Sequence, residues 1–150
     1  MFSRRLQLAF FIAAFQQQYR ARLDAMVFPI ITKQILDFII CLRKDKLIAA
    51  FTVYSSPRST AFKCVRILFY YINNNGLLFQ HIRSIRPRIY LSVQAIRLIM
   101  QQKASLAFPI LVFETPTHGI VTDRQLVYLQ LNGHITNYLG GRLLARIDNY

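Results

Sequence analysis

The chain has 150 residues, with 19 Lys and Arg against 6 Asp and Glu, for a formal charge of +13 at pH 7. Its 54% apolar content, with 12 Phe and 8 Tyr, excludes general disorder, and its length suits one compact domain or two very small ones. Two cysteines, Cys41 and Cys64, with no CxxC pair, exclude a disulfide scaffold and suit a reducing compartment.

The first predicted element is a helix over residues 3–20 with Ser3 as N-cap and an unusually apolar face. Ala25–Phe28 reads as a short strand that ends at Pro29. Thr32 is the candidate N-cap of an amphipathic helix over Lys33–Arg43, where Ile35, Leu36, Ile39, Ile40 and Leu42 recur at helical spacing. Arg43, Lys44 and Lys46 suit its C-terminal end. Leu47–Tyr54 is a strand and Ser55–Thr60 a loop. Phe62–Ile72 is a second strand, rich in aromatic and β-branched residues. Asn73–Gly76 is the strongest turn signal, which makes Leu77–Ser84 the return strand of a hairpin.

Pro87 interrupts regular structure within Arg86–Tyr90. Ser92 caps a helix over Val93–Lys103 whose apolar side holds Val93, Ile96, Leu98 and Ile99. Pro109–Glu114 is a buried strand, and Thr115–Gly119 a loop. Thr122 and Asp123 open a helix by side-chain capping, and Arg142–Ile147 is the final strand. The pattern is α+β in two small domains. Residues 1–76 form a helix-strand-helix-sheet domain, and residues 77–150 a β-rich domain with a short helix.

The charge identifies the class of partner. Fourteen of the basic residues are Arg, whose planar fork matches phosphate and stacks on bases, so the imbalance points to nucleic acid or an anionic membrane. A basic start followed by the apolar run Leu6–Phe15 mimics a signal peptide, but no small-x-small site follows it. No run reaches the roughly 18–20 apolar residues of a membrane-spanning helix. Residues 6–18 contain no charge, which favours a core helix over one lying on a membrane surface.

No motif argues for an enzyme. The acids are scattered, and His81, His118 and His134 lack metal-ligand spacing, so no metal and no cofactor is expected. Glu114 and Asp123 flank His118, the one arrangement with general-base chemistry, and the plainer reading is a loop histidine near a helix cap. The informative stretch is Phe113–Arg124, F-E-T-P-T-H-G-I-V-T-D-R. Thr115 and Thr117 offer donors and acceptors at a strand end, and Gly119 lets a backbone approach closely, which suits contact with RNA bases and 2′-hydroxyls.

That stretch resembles the small ribosomal subunit protein S eight family, of the bacterial and organellar type. The family carries Ser-Thr-Ser-x-Gly-x-x-Thr-Asp-Arg after a strand. This chain has Thr115-Pro116-Thr117-His118-Gly119-Ile120-Val121-Thr122-Asp123-Arg124 at the same spacing. Leu139-Gly140-Gly141-Arg142 is similar to the family's Leu-Gly-Gly-Glu, and Arg86-Pro87-Arg88-Ile89-Tyr90 to a contracted Ser-Arg-Pro-Gly-x-Arg-x-Tyr. The likeness spans nearly the whole chain and is specific over Arg86–Arg146. The departures are Pro116, His118 and Arg142 in place of Thr, Lys and Glu, an insertion between Arg124 and Leu139, and uncharged Phe15-Gln16-Gln17-Gln18 where the family's first helix is basic.

The resemblance implies a non-catalytic, structural constituent of the small subunit. It implies binding to the central domain of small-subunit rRNA, beside neighbouring ribosomal proteins, in support of assembly and translation. Thr115, Thr117, Gly119, Thr122 and Tyr90 are the implied RNA-contact residues, and Arg86, Arg88, Lys33 and Arg124 the phosphate candidates. The apolar, Phe-rich composition and the drifted motifs suggest a mitochondrial member in the matrix, with its first helix retained. A function of another class remains: a basic peripheral membrane or protein-interaction module that uses the apolar N-terminal helix.

Overall fold

The computed structural model describes residues 4–30, 32–56, 59–72, 76–102, 108–116, 118–131 and 141–149. The architecture is α+β, in two compact units, Met1–Gln80 and His81–Tyr150.

In the first unit, helix α1 spans Arg4–Arg20 and strand β1 Ala25–Ile30. Helix α2 follows over Lys33–Lys44, then strands β2 over Ile48–Ser56 and β3 over Ser59–Phe69. The strands form an antiparallel sheet in the order β1-β3-β2. Leu8, Phe11, Ile12, Phe15 and Tyr19 recur on one face of α1, and all are buried. Their rings build an aromatic wedge. The Phe11 centroid lies 5.2 Å from Phe28, Phe15 lies 5.3 Å from Phe69, and Tyr19 lies 4.5 Å from Phe79. Thr32 caps α2, its hydroxyl accepting from the Ile35 N–H at 3.3 Å, as its sequence position predicts.

Both helices end the same way. Arg22, at φ 59°, and Lys46, at φ 60°, take the left-handed conformation that glycine usually supplies. Arg22 N–H donates to Tyr19 C=O and Leu23 N–H to Gln18 C=O. Lys46 N–H donates to Arg43 C=O and Leu47 N–H to Leu42 C=O. Each pair of bonds closes a Schellman motif, and the basic side chain suits the negative end of the helix dipole.

The expected hairpin across Asn73–Gly76 does not form between β3 and Leu77–Ser84. Strand β3 is central, with β1 on one edge and β2 on the other, so it has no free edge to receive a return strand. Ile72 and Gly76 do exchange two backbone hydrogen bonds, at 2.9 and 3.2 Å. The following residues turn back to α1 instead. Leu78 and Phe79 N–H donate to the Tyr19 hydroxyl, and Gln16 Nε2 donates to Gln80 C=O. These bonds tie residues 77–80 to the first unit, so the division falls after Gln80 rather than after residue 76.

The second unit contains β4 over His81–Leu91, α3 over Val93–Gln102, β5 over Ile110–Thr115 and β6 over Gly119–Thr122. Helix α4 over Asp123–Leu131 and β7 over Gly141–Asp148 complete it. The antiparallel sheet runs β4-β7-β5-β6. Ile96 of α3 and Leu126 of α4 close over Leu111, Phe113 and Val121 to form the core. The helix read after Ser92 and the one read after Thr122 both stand in this unit.

Three local expectations change. Pro87 does not end its strand: β4 runs through it, and the register slips between Ser84 and Ile89, where a residue without an N–H is accommodated. Pro29 likewise stays within β1, which is an edge strand. Leu98 is 56% exposed rather than part of the apolar side of α3, because Ile96 and Ile99 face the core. The stretch after Arg124 that the resemblance marks as an insertion begins as α4. Residues 132–140 and Ser3 lie outside the described residues.

Candidate nucleic-acid interface

Antiparallel pairing gathers one end of the second sheet. Thr115 faces Gly119 across the β5–β6 hairpin, Glu114 faces Arg142 of β7, and Arg142 faces Tyr90 of β4. Tyr90 is 64% exposed, and an aromatic ring at the surface is the kind of group on which an RNA base stacks. Arg142 approaches Glu114 at 3.4 Å, with both side chains about one-third exposed. That pair steers the guanidinium along the same row as Tyr90.

The turn between β5 and β6 is built by Thr115. Its hydroxyl donates to Gly119 C=O at 3.0 Å and accepts from His118 N–H at 3.1 Å. Gly119 sits at φ 67°, a conformation that a side chain disfavours. Thr115 therefore shapes the loop first, and it keeps one oxygen lone pair for an outside donor. Thr117 lies outside the described residues. Gly141 fits closely for a different reason. A Cβ there would lie 3.2 Å from Glu114 O and 3.3 Å from Thr115 Cγ2, so a side chain would require these neighbours to yield by a few tenths of an ångström where β7 starts beside the turn.

Other predicted contacts separate from this row. Thr122 is a correction: it is fully buried, and its hydroxyl accepts from Gln125 N–H at 3.2 Å as the cap of α4. The capping role read from the sequence is realised, and a surface role is not. Arg124 is exposed in the first turn of α4, with its guanidinium 5.8 Å from the centroid of Phe108. It stands beyond the far end of β6 from Gly119, about 10 Å of strand away. Lys33 is exposed at the start of α2, in the first unit. Arg86 and Arg88 lie in the slipped segment of β4, and their side chains are outside the described part of the structure. Arg142 was not singled out as a contact. Its signal was the departure from an acidic residue after Gly140-Gly141.

Two more arginines are held by the fold. Asp148 is buried and accepts from Arg83 Nη2 at 2.9 Å and from Arg146 Nε at 2.7 Å. Burial alone raises an aspartate, but the two guanidinium hydrogen bonds outweigh it and hold the Asp148 carboxyl below its ordinary value. Burial likewise pushes the Tyr19 phenol up, against the lowering effect of the Leu78 and Phe79 N–H groups that donate to it.

The flanked histidine does not assemble. Asp123 is buried at the start of α4, where its carboxylate accepts from Arg124 N–H at 2.8 Å, while His118 is exposed at the turn at the other end of β6. Among the described residues, no group of three His, Cys, Asp or Glu is placed to hold a metal, and no helix is long and apolar enough to cross a membrane. No family model matches the chain, and no curated protein matches it.

Proposed function

We propose that the chain is a structural, non-catalytic RNA-binding protein of the small ribosomal subunit, working in the mitochondrial matrix. In this reading it holds the central domain of small-subunit rRNA, beside neighbouring ribosomal proteins, and supports assembly and translation. The observation that carries the reading is the end of the second sheet. There an exposed Tyr90, the Arg142 guanidinium and the turn built by Thr115 and Gly119 stand on adjoining strands of a chain with net charge +13. An aromatic face for a base, a forked cation for phosphate and a hydroxyl for a sugar edge are the chemistry of RNA recognition. The resemblance of Thr115–Arg124 to the S eight family supports the same assignment, and the apolar, Phe-rich composition supports the mitochondrial one.

The alternative, a membrane or interaction module that uses the N-terminal helix, has less support, because Phe10 is the large apolar side chain that the described part of α1 exposes. The apolar stripe of α1 is buried under its own unit.

The test is a titration of the purified chain at two salt concentrations. One ligand is a central-domain fragment of small-subunit rRNA, and the other is an unrelated structured RNA of equal length. Selective binding that persists at the higher salt is the expected result. Equal and steeply salt-dependent binding to both would reduce the interaction to bulk charge and reject the assignment.

A further inference from the structure

The second sheet carries another basic pair, at the end opposite the Tyr90–Arg142 row. Arg83 of β4 and Arg146 of β7 are direct cross-strand partners, and His81 faces Asp148 two residues further along. Roughly 13 Å of β7 separates Arg146 from Arg142. Arg146 also pairs with Leu111 of β5, which is in the core beneath α3 and α4, so the two arginines share the face those helices pack on. They are not covered themselves. The Arg83 side chain is 63% exposed and that of Arg146 44%.

Like charges directly opposite one another on a sheet repel. Here both guanidiniums converge on one buried carboxylate. Asp148 accepts from Arg83 Nη2 at 2.9 Å on one oxygen and from Arg146 Nε at 2.7 Å on the other. One guanidinium is enough to balance that carboxylate, and an ion pair as exposed as that of Arg83 adds little to stability. Stability therefore explains one arginine but not two side by side. The second leaves the triad with one positive charge in excess. Because Asp148 holds Arg83 through Nη2 and Arg146 through Nε, each guanidinium keeps an Nη group that is not bonded to the carboxylate. Part of the rotamer freedom that two loose arginines lose on binding is already lost. A backbone phosphate brings one negative charge and two anionic oxygens, which match the excess charge and the two free Nη groups. A lone carboxylate on another protein would match the charge as well, but the net charge of +13 on the chain favours a partner that repeats it.

We infer that Arg83 and Arg146, held by Asp148, clamp a backbone phosphate of RNA at this end of the sheet, a contact that fixes position without reading sequence. That the phosphate belongs to RNA rests on the function proposed above; the arrangement of the two guanidiniums does not.

The test compares Arg83→Gln with Arg43→Gln in the full chain. Each removes one exposed cation, and Arg83→Gln leaves Asp148 its bond to Arg146. Affinities for the central-domain rRNA fragment and for an unrelated structured RNA are measured across a salt series, with the melting temperature as a folding control. Arg83→Gln should weaken both RNAs by at least about fivefold and lower the salt slope by about one, while Arg43→Gln changes either affinity by less than about twofold. Asp148→Asn separates the clamp from bulk charge by the sign of its effect. The change adds a positive charge to the chain, so bulk attraction alone would strengthen RNA binding. A clamp that has lost its anchor binds more weakly, and weaker binding is the expected result. Stronger binding by Asp148→Asn would overturn the inference, as would an Arg83→Gln chain indistinguishable from the Arg43→Gln chain. Equal binding of both RNAs by the wild type, with Arg83→Gln still weaker than Arg43→Gln, would retain the clamp and reject only the ribosomal reading. No binding of either RNA by the wild type would overturn both.

Discussion

The two units use polar side chains in opposite ways. In the first, the internal order comes from rings: α1 drives Phe11, Phe15 and Tyr19 between the strands and the 77–80 segment, and the polar bonds that matter run to backbone atoms. In the second, each of the three acids has a structural use. Glu114 steers Arg142, Asp123 accepts from the first turn of α4, and Asp148 holds two arginines. Residues 1–80 carry eleven basic against three acidic residues, and residues 81–150 eight against three. The more heavily charged unit is thus not the one with the shaped polar surface. Charge sets how strongly a polyanion is attracted, whereas placed side chains set which one is held.

The contrast is broken most severely at the wedge. Phe15→Ala removes a fully buried ring that meets Phe69 and Phe79, and should cost about 3–5 kcal/mol in chemical denaturation. A loss below about 1 kcal/mol would mean that the first unit is not organised around α1.

Asp148→Asn probes the second unit's reliance on ion pairs. Both arginines are about half exposed or more, so the expected loss is discounted to about 1–2 kcal/mol. The pH dependence has a definite sign. The folded-state carboxyl titrates below its unfolded value, so its contribution is present above about pH 4 and is lost as pH falls through the lowered value. Acid unfolding of Asp148→Asn should be shallower than that of the wild type. Parallel curves would remove this account of the cluster.

Thr115→Val keeps shape and deletes the hydroxyl that joins Gly119 and His118. About 1 kcal/mol of loop stability should go, and selective RNA affinity should fall several-fold while binding to unrelated RNA is unchanged. The smallest effect has the opposite sign. Arg22→Gly, or Lys46→Gly, relieves a left-handed residue at a helix end and should stabilise the first unit by about 0.5–1 kcal/mol.

The locally determined parts of this fold are legible in the sequence. Thr32, Ser92 and Thr122 each declare a helix start, because a cap bonds within three residues of itself: Ser92 accepts from Ala95 N–H at 3.2 Å, and the other two behave alike. The partner choice of β3 was not legible. Its turn signal is strong, but β1 and β2, from earlier in the chain, occupy both of its edges. The Tyr19 clamp on Leu78 and Phe79 joins residues about sixty apart, beyond any local pattern. At the candidate site the Thr115–Gly119 turn was readable from its hydroxyls and glycine. The place of Arg142 beside Tyr90 and Glu114 depended on which strand lies between them, and β7, last in the chain, sits inside the sheet.

The most direct measurement is the affinity of Tyr90→Ala for the central-domain rRNA fragment and for unrelated RNA, across a salt series. Tyr90 is 64% exposed, so the fold should tolerate the change. The expected result is a loss of about 1–3 kcal/mol on the central-domain fragment, no loss on the unrelated RNA, and an unchanged salt slope for both. Equal affinities of wild type and variant for the central-domain fragment would contradict the claim that the end of the second sheet, rather than charge alone, selects the RNA.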